Sequence, residues 1–127
     1  MLLNLVLSII IILFVGYYVY WYVVGRRAAK YVDEAQFGEL IAAGQVIDLR
    51  ENVEYRNAHI MGARNISYQM FAQSLAALRK DRPVLLYDTT TRLSTRAAVK
   101  LHKEGYTEVY ILKGGFTGWH GKKASKH

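Results

Sequence analysis

The stretch VLLYDTTTRLSTRAAVKL, Val84 to Leu101, reads as a buried strand, a hydroxyl-rich loop and a helix in direct succession. Pro83 opens the strand, and the near-continuous apolar run VLLY is of the kind that a parallel sheet buries on both faces. Ser94 is the expected cap of the helix and Gly105 its stop. In α/β proteins the loop between a strand's carboxyl end and the next helix is where an anion or a nucleophile is held. Its first residue here is Asp88, and the chain of 127 residues contains no cysteine. That aspartate either performs a reaction or fills a place.

The same alternation continues on both sides of this unit. Asp33 is expected to cap a helix whose apolar positions Phe37, Leu40 and Ile41 recur at helical spacing and which stops at Gly44. QVIDL is a short strand with Asp48 at its end and Arg50 just beyond. ENVEYRNAH reads as a loop with a turn or two of helix, and GARNI as a return to strand. YQMFAQSLAAL is expected to be a helix with Met70, Phe71, Leu75 and Leu78 inward. EVYIL is the expected last strand, and GGFTGWHG closes the fold with Gly114 and Gly115 in a tight turn. Strands alternating with helices predict a parallel α/β sheet with a site at the carboxyl ends of its strands.

The amino-terminal segment is of another kind. From Leu2 to Val24 no residue is charged, and only Asn4, Ser8 and Gly16 interrupt an apolar and aromatic run. As a helix this run crosses the roughly 30 Å hydrocarbon core of a bilayer. A domain of about 100 residues could hardly enclose such an all-round apolar rod. A cleaved signal peptide would want basic residues before the run and small residues at a cleavage site after it. Instead the run closes on Tyr17, Tyr18, Tyr20, Trp21 and Tyr22, a cluster suited to a membrane–water interface, and Arg26, Arg27 and Lys30 follow. Positive residues hold their end of a span in the cytoplasm. The expectation is a retained single-pass anchor in the cell membrane, with the amino terminus outside and the domain cytoplasmic. Residues 1–25 are then the anchor, 26–31 a basic juxtamembrane linker, 32–121 the domain and 122–127 a basic tail.

The formal net charge is +7, from 17 basic and 10 acidic residues, and all the acids lie beyond Lys30. The basic excess gathers near the membrane and in the tail (Lys122, Lys123, Lys126), a distribution suited to the bilayer and its anionic lipid headgroups. A nucleic-acid partner would call for a basic face with exposed aromatics, and none is found. The lack of cysteine accords with a cytosolic domain without disulfides and removes thiol chemistry and thiolate metal sites. The four histidines, His59, His102, His120 and His127, have neither HxxxH nor HExxH spacing, so no metal and no cofactor is expected.

VIDLRENVEYRNAHIMGARNI resembles the rhodanese-like signature, in which a strand-end Asp and Arg precede Glu-Tyr, then His-Ile, one residue, Gly-Ala and Asn-Ile. PVLLYDTTTRLSTRAAVKLHKEGYTEVYILKGGFTGW resembles the second half of the same fold, closing on Leu-x-Gly-Gly and Trp. Together they cover essentially all of Val32 to Trp119. A single amino-terminal anchor with Tyr-Asp at the loop is similar to short rhodanese-like membrane proteins of Gram-positive bacteria. The resemblance implies about five mainly parallel strands flanked by helices. It also implies that Asp88 stands where active members carry a cysteine, round whose persulfide the following loop curls its N–H groups. The six loop residues are then Asp88, Thr89, Thr90, Thr91, Arg92 and Leu93, with Ser94 beginning the helix. Family members commonly have glycine in place of Thr91 and arginine in place of Leu93.

A carboxylate cannot hold a transferable sulfane sulfur, because the sulfur–sulfur bond needs a thiolate. Aspartyl-phosphate chemistry in a D-x-D-x-T pattern would need an acid in place of Thr90, and further acids to hold magnesium. An anion built into a ring of N–H donors fits better: the expectation is that Asp88 plugs the loop. Asp48 is expected to bind neighbouring loop backbone, and Arg50, Thr89–Arg92 and Arg96 to form an exposed ring open to a partner. The expected function is a membrane-tethered, catalytically inactive rhodanese-like module that binds a membrane or cytoplasmic protein as a scaffold. The alternative is residual sulfurtransferase-like or Asp-based phosphoryl transfer at the Asp88 loop.

Overall fold

A computed structural model describes residues 1–125. Helix α1 (Leu2–Ala28) leads into β1 (Lys30–Val32), α2 (Glu34–Leu40), β2 (Gln45–Asp48), α3 (Asn52–Asn57), β3 (His59–Ile60), β4 (Arg64–Asn65) and α4 (Tyr68–Phe71). A 3-10 segment, Ala72–Ala77, precedes β5 (Val84–Tyr87), α5 (Arg92–Lys103), β6 (Val109–Leu112), a 3-10 turn at Phe116–Gly118 and β7 (Lys123–Ala124). Five strands form one parallel sheet in the order β1, β6, β5, β2, β4. β5 lies at its centre, and alternation along that strand explains why all four of its residues are buried. Val84 and Leu86 join one core with Ile47, Ile111, Ala97, Ala98 and Leu101. Leu85 and Tyr87 join the other with Phe37, Val46, Leu112 and Trp119. The two alanines of α5 let its backbone lie close to the sheet, and full burial of Leu101 contributes about 1.5–3 kcal/mol.

α2 begins as its sequence predicts: Gln36 N–H donates to the Asp33 carboxylate at 2.8 Å, and the Gln36 side chain accepts from Asp33 N–H at 3.4 Å. The stretch Tyr68–Leu78 differs from the expected single helix, being one α-turn followed by 3-10 turns. The three-residue period aligns Leu75 with Leu78 on the core side. The Tyr106 hydroxyl, which donates to both their carbonyls at 2.8 Å, fixes the segment's end. Met70 is 51% exposed rather than inward, because it sits about 100° round the helix from the buried Phe71.

β6 is not the last strand. Lys123–Ala124 pairs antiparallel with His59–Ile60 in a separate two-stranded ribbon, so the segment expected as tail contributes to the fold. Lys126 and His127 lie outside the described residues. The stretch 26–31 is likewise structured: α1 runs on through Arg26 and Arg27 to Ala28, and Lys30 and Tyr31 belong to β1.

The carboxyl end of α1 is docked on the domain. Trp21 and Val24 pack against the α5-side core, and Gly25 and Ala28 are buried. A Cβ at Gly25 would stand 2.7 Å from both the Thr95 methyl and the Tyr31 hydroxyl, which are themselves joined by the 2.6 Å Tyr31–Thr95 hydrogen bond. The rest of α1 is exposed along its length.

Candidate functional site

Parallel pairing brings the ends of β2 and β5 together, with Asp48 in register with Tyr87 and Asp88 the next residue on. Asp88 is only 3% exposed. One carboxylate oxygen accepts from Leu93 N–H at 3.1 Å; the other accepts from Ser94 N–H at 3.4 Å and from the Ser94 hydroxyl at 2.6 Å. These donors belong to the first turn of α5, which starts at Arg92. Ser94 is therefore not the cap but the third helical residue, and Arg92 and Leu93 are helical rather than loop. Thr91 occupies the cap position without a side-chain cap bond, and the Asp88 carboxylate supplies that function from three residues upstream. A negative charge there also complements the helix N-terminus.

A third strand end buttresses the loop. The Asp88 carbonyl accepts from Phe116 N–H at 2.8 Å, and the Thr117 hydroxyl donates to the Thr89 carbonyl at 3.0 Å. This approach needs Gly115, whose φ is +61° and where an added Cβ would run into the carbonyl oxygens of Thr89 and Thr90. The Gly-Gly pair was legible in the sequence as a turn, though not as a surface against the loop. Thr89, Thr90 and Arg92 are exposed, Thr91 and Leu93 half-buried.

Arg50 does not belong to an exposed ring. It is 8% exposed and forms a buried pair with Asp48: its Nε lies 3.1 Å from both carboxylate oxygens and its Nη2 2.7 Å from one. Nη2 also donates to the Ala58 carbonyl at 2.6 Å, and the guanidinium lies 4.1 Å from the centre of the Phe116 ring. Asp48 also accepts from Arg50 N–H at 2.8 Å, the loop-backbone bond expected of it. Burial opposes the Arg50 charge, but the Asp48 bonds outweigh it and raise its pKa. Tyr87, not singled out in the sequence, closes this cluster: its hydroxyl accepts from Ile60 N–H at 3.0 Å. Burial first, and the Asp48 charge second, push its phenol far above the usual range. Its sequence signals were a polar tip at the end of an apolar run and its place in the Tyr-Asp pair of the resemblance, neither of which gave it a role.

Arg96 is turned away from Asp88. Its Nη2 donates to the Tyr17 hydroxyl at 2.6 Å, and its guanidinium lies over Trp21. His59 is buried, stacked on Tyr55 at 3.9 Å with Nδ1 2.7 Å from the Tyr55 carbonyl oxygen; Trp119 packs on Phe37. Among the described residues no three His, Asp or Glu side chains are grouped to hold a metal ion. The site thus offers an enclosed carboxylate committed to fixed donors, beneath a small exposed threonine and arginine surface.

Comparison with known proteins adds a family. The model of the rhodanese-like domain matches residues 33–122. YqhL of Bacillus subtilis (strain 168), itself described as uncharacterized, is 41% identical over 123 residues, covering 97% of this chain and 98% of YqhL. The thiosulfate sulfurtransferase GlpE of Shewanella oneidensis is 34% identical over 76 residues, 60% of this chain and 75% of GlpE. Among solved structures, the Alr3790 protein of Anabaena superposes with a TM-score of 0.68 at 23% identity, covering 75% of this chain and 92% of that one, a likeness of fold.

Proposed function

The chain belongs to the rhodanese-like domain family, and from that premise we propose a membrane-tethered member that transfers no sulfur and recognises a protein partner at the cytoplasmic face. One observation carries the reading. At the strand-end position where the family resemblance places a cysteine, the chain has Asp88, with both oxygens bound to the first turn of α5. The N–H donors that would stabilise a persulfide are occupied by a built-in anion, and a carboxylate forms no sulfur–sulfur bond. The activity named for GlpE is therefore not carried over. Asp-based phosphoryl transfer is disfavoured by the same burial, since an in-line nucleophile must reach its substrate.

A retained anchor is supported by the docking of Trp21, Val24 and Gly25 on the domain, packing that cleavage would discard. The likeness to YqhL across nearly the whole chain also takes in this segment. Arg26 and Arg27 in the last turn of α1 favour a cytoplasmic domain. What remains for a partner is the exposed surface of Thr89, Thr90 and Arg92.

The test is a photo-crosslinking residue at Thr90 in the full chain, activated in intact cells that also carry a reporter after His127. The reading predicts a cytoplasmic reporter and a discrete protein adduct that is absent when the crosslinker replaces His102. No adduct at Thr90, or a reporter on the outer face, contradicts it.

A further inference from the structure

We infer that the groove between α1 and the start of α5 binds the phosphate of an anionic membrane phospholipid, an inference that rests on the membrane-tethered reading above. The groove holds about 570 Å³. α1 lines it with Tyr17, Trp21 and Arg26, and α5 with Thr91, Arg92 and Arg96. Tyr17 and Trp21 are four residues apart, as are Arg92 and Arg96, so each helix turns one face to the space between them.

Two of the three arginines are braced by aromatic rings. Arg96 donates to the Tyr17 hydroxyl at 2.6 Å and lies 5.0 Å from the Trp21 ring centre. Arg26 lies 5.2 Å from the ring centre of Tyr22 and 5.5 Å from that of Tyr31. Among the described residues no acidic side chain lines the groove. The ion pairs among the described residues are Asp48–Arg50, Asp81–Arg79 and Glu34–His120, so no carboxylate there is paired with these three guanidiniums. Three like charges line one groove without a counter-charge among the described residues.

Depth identifies the anion. A helix needs about 20 residues to cross the hydrocarbon core, which from Leu2 brings the chain to about Trp21. The aromatic wall of the groove thus stands where acyl chains give way to headgroups, and Arg92 and Arg96 are brought to that level by docking of α5 on α1. The anions concentrated there are lipid phosphates. A guanidinium fork matches phosphate oxygens in paired hydrogen bonds, and the rings of Tyr17 and Trp21 suit the glycerol and upper acyl carbons. Thr91 and Arg92 belong to both this groove and the Asp88 loop, so a bound lipid would lie beside the loop offered to a partner.

The test uses the full chain in detergent micelles containing equal amounts of phosphatidylglycerol and phosphatidylcholine, with retained lipid counted by native mass spectrometry. Phosphatidylglycerol should be retained about tenfold or more over phosphatidylcholine, two arginines near the surface each contributing several-fold. Arg92→Gln, at an exposed position, should weaken the preference, and Arg92→Gln/Arg96→Gln should abolish it with an unchanged circular dichroism spectrum. Lys122→Gln/Lys123→Gln should keep it. Equal retention of the two lipids, or a preference indifferent to Arg92, overturns the site. Inorganic phosphate that displaces the lipid at equal concentration overturns the lipid assignment in favour of a soluble phosphate. Carbonate-washed membranes separate the two readings: a chain washed off refutes the tether, whereas one that stays without lipid preference refutes the groove alone.

Discussion

Replacing Asp88 by alanine removes three hydrogen bonds to an ionised acceptor at once: those from Leu93 N–H, Ser94 N–H and the Ser94 hydroxyl. Losing a helix cap costs about 0.5–2 kcal/mol, and a buried donor left without a partner about 1–3 kcal/mol. Asp88→Ala should therefore destabilise by about 2–4 kcal/mol. Asp88→Asn keeps one acceptor but turns an amide donor toward N–H groups, and should cost about 1–2 kcal/mol. Urea unfolding of the full chain in micelles, followed by far-ultraviolet circular dichroism, reads both. The alanine variant empties an anion site, so sulfate should restore what the carboxylate supplied. An anion held with a Kd of about 5 mM returns about 1.4 kcal/mol at about 50 mM. Chloride at matched ionic strength should not, and the wild type should respond to neither. An alanine variant within about 0.5 kcal/mol of wild type, with no specific sulfate response, would refute the assignment of Asp88 as a built-in anion.

The remaining expectations concern the buried phenols, the Asp48–Arg50 pair and Gly115. Burial and Asp48 raise the Tyr87 phenol, and burial also raises Tyr55 and Tyr106. A phenol raised on folding contributes stability below its unfolded pKa of about 10 and loses it as pH climbs above that value, by about 1.4 kcal/mol per unit for each group. Tyr87→Phe should lower stability at neutral pH by about 1–2 kcal/mol, through the lost partner of Ile60 N–H, yet flatten the alkaline limb of a pH–stability curve. Asp48→Ala strands the Arg50 guanidinium against Phe116 and should cost about 3–5 kcal/mol, while Asp48→Ala/Arg50→Met should cost less than the single change in the same urea assay. Gly115→Ala adds a strained φ and a backbone collision with Thr89 and Thr90; about 2 kcal/mol or more of lost stability should come with faster amide exchange across the Asp88 loop.

What was legible in the sequence is what depends on short-range pattern. The apolar run Val84–Tyr87, the Asp33 cap and the Gly114–Gly115 turn are local chemistry, and the structure has all three. The parallel α/β sheet followed from alternation, and the family from ordered short motifs. The misses are tertiary. Ser94 looked like a cap because a serine before an amphipathic run normally is one; a carboxylate six residues earlier displaced it from that role. Arg50 looked exposed because charged residues usually are, yet Asp48 and the Phe116 face hold it inside. Arg96 was placed beside Asp88 by sequence proximity, while the helical turn directs it at Tyr17 on α1. The β3–β7 ribbon has two residues per strand, too few for any period to be read. The docking of α1 rests on Gly25 meeting Thr95 and Tyr31, a long-range fit that no local pattern announces.

On the proposed reading, Asp88 takes the nucleophile's place without its chemistry. Protein-dependent transfer of sulfur from thiosulfate to cyanide, measured on the full chain in micelles beside GlpE from Shewanella oneidensis, tests it most directly. The wild type should not exceed the buffer blank, and Asp88→Cys should reach at most a small fraction of the GlpE rate, since Thr91 and Leu93 still depart from the active loop. Turnover by the wild type that Asp88→Ala abolishes would contradict the account.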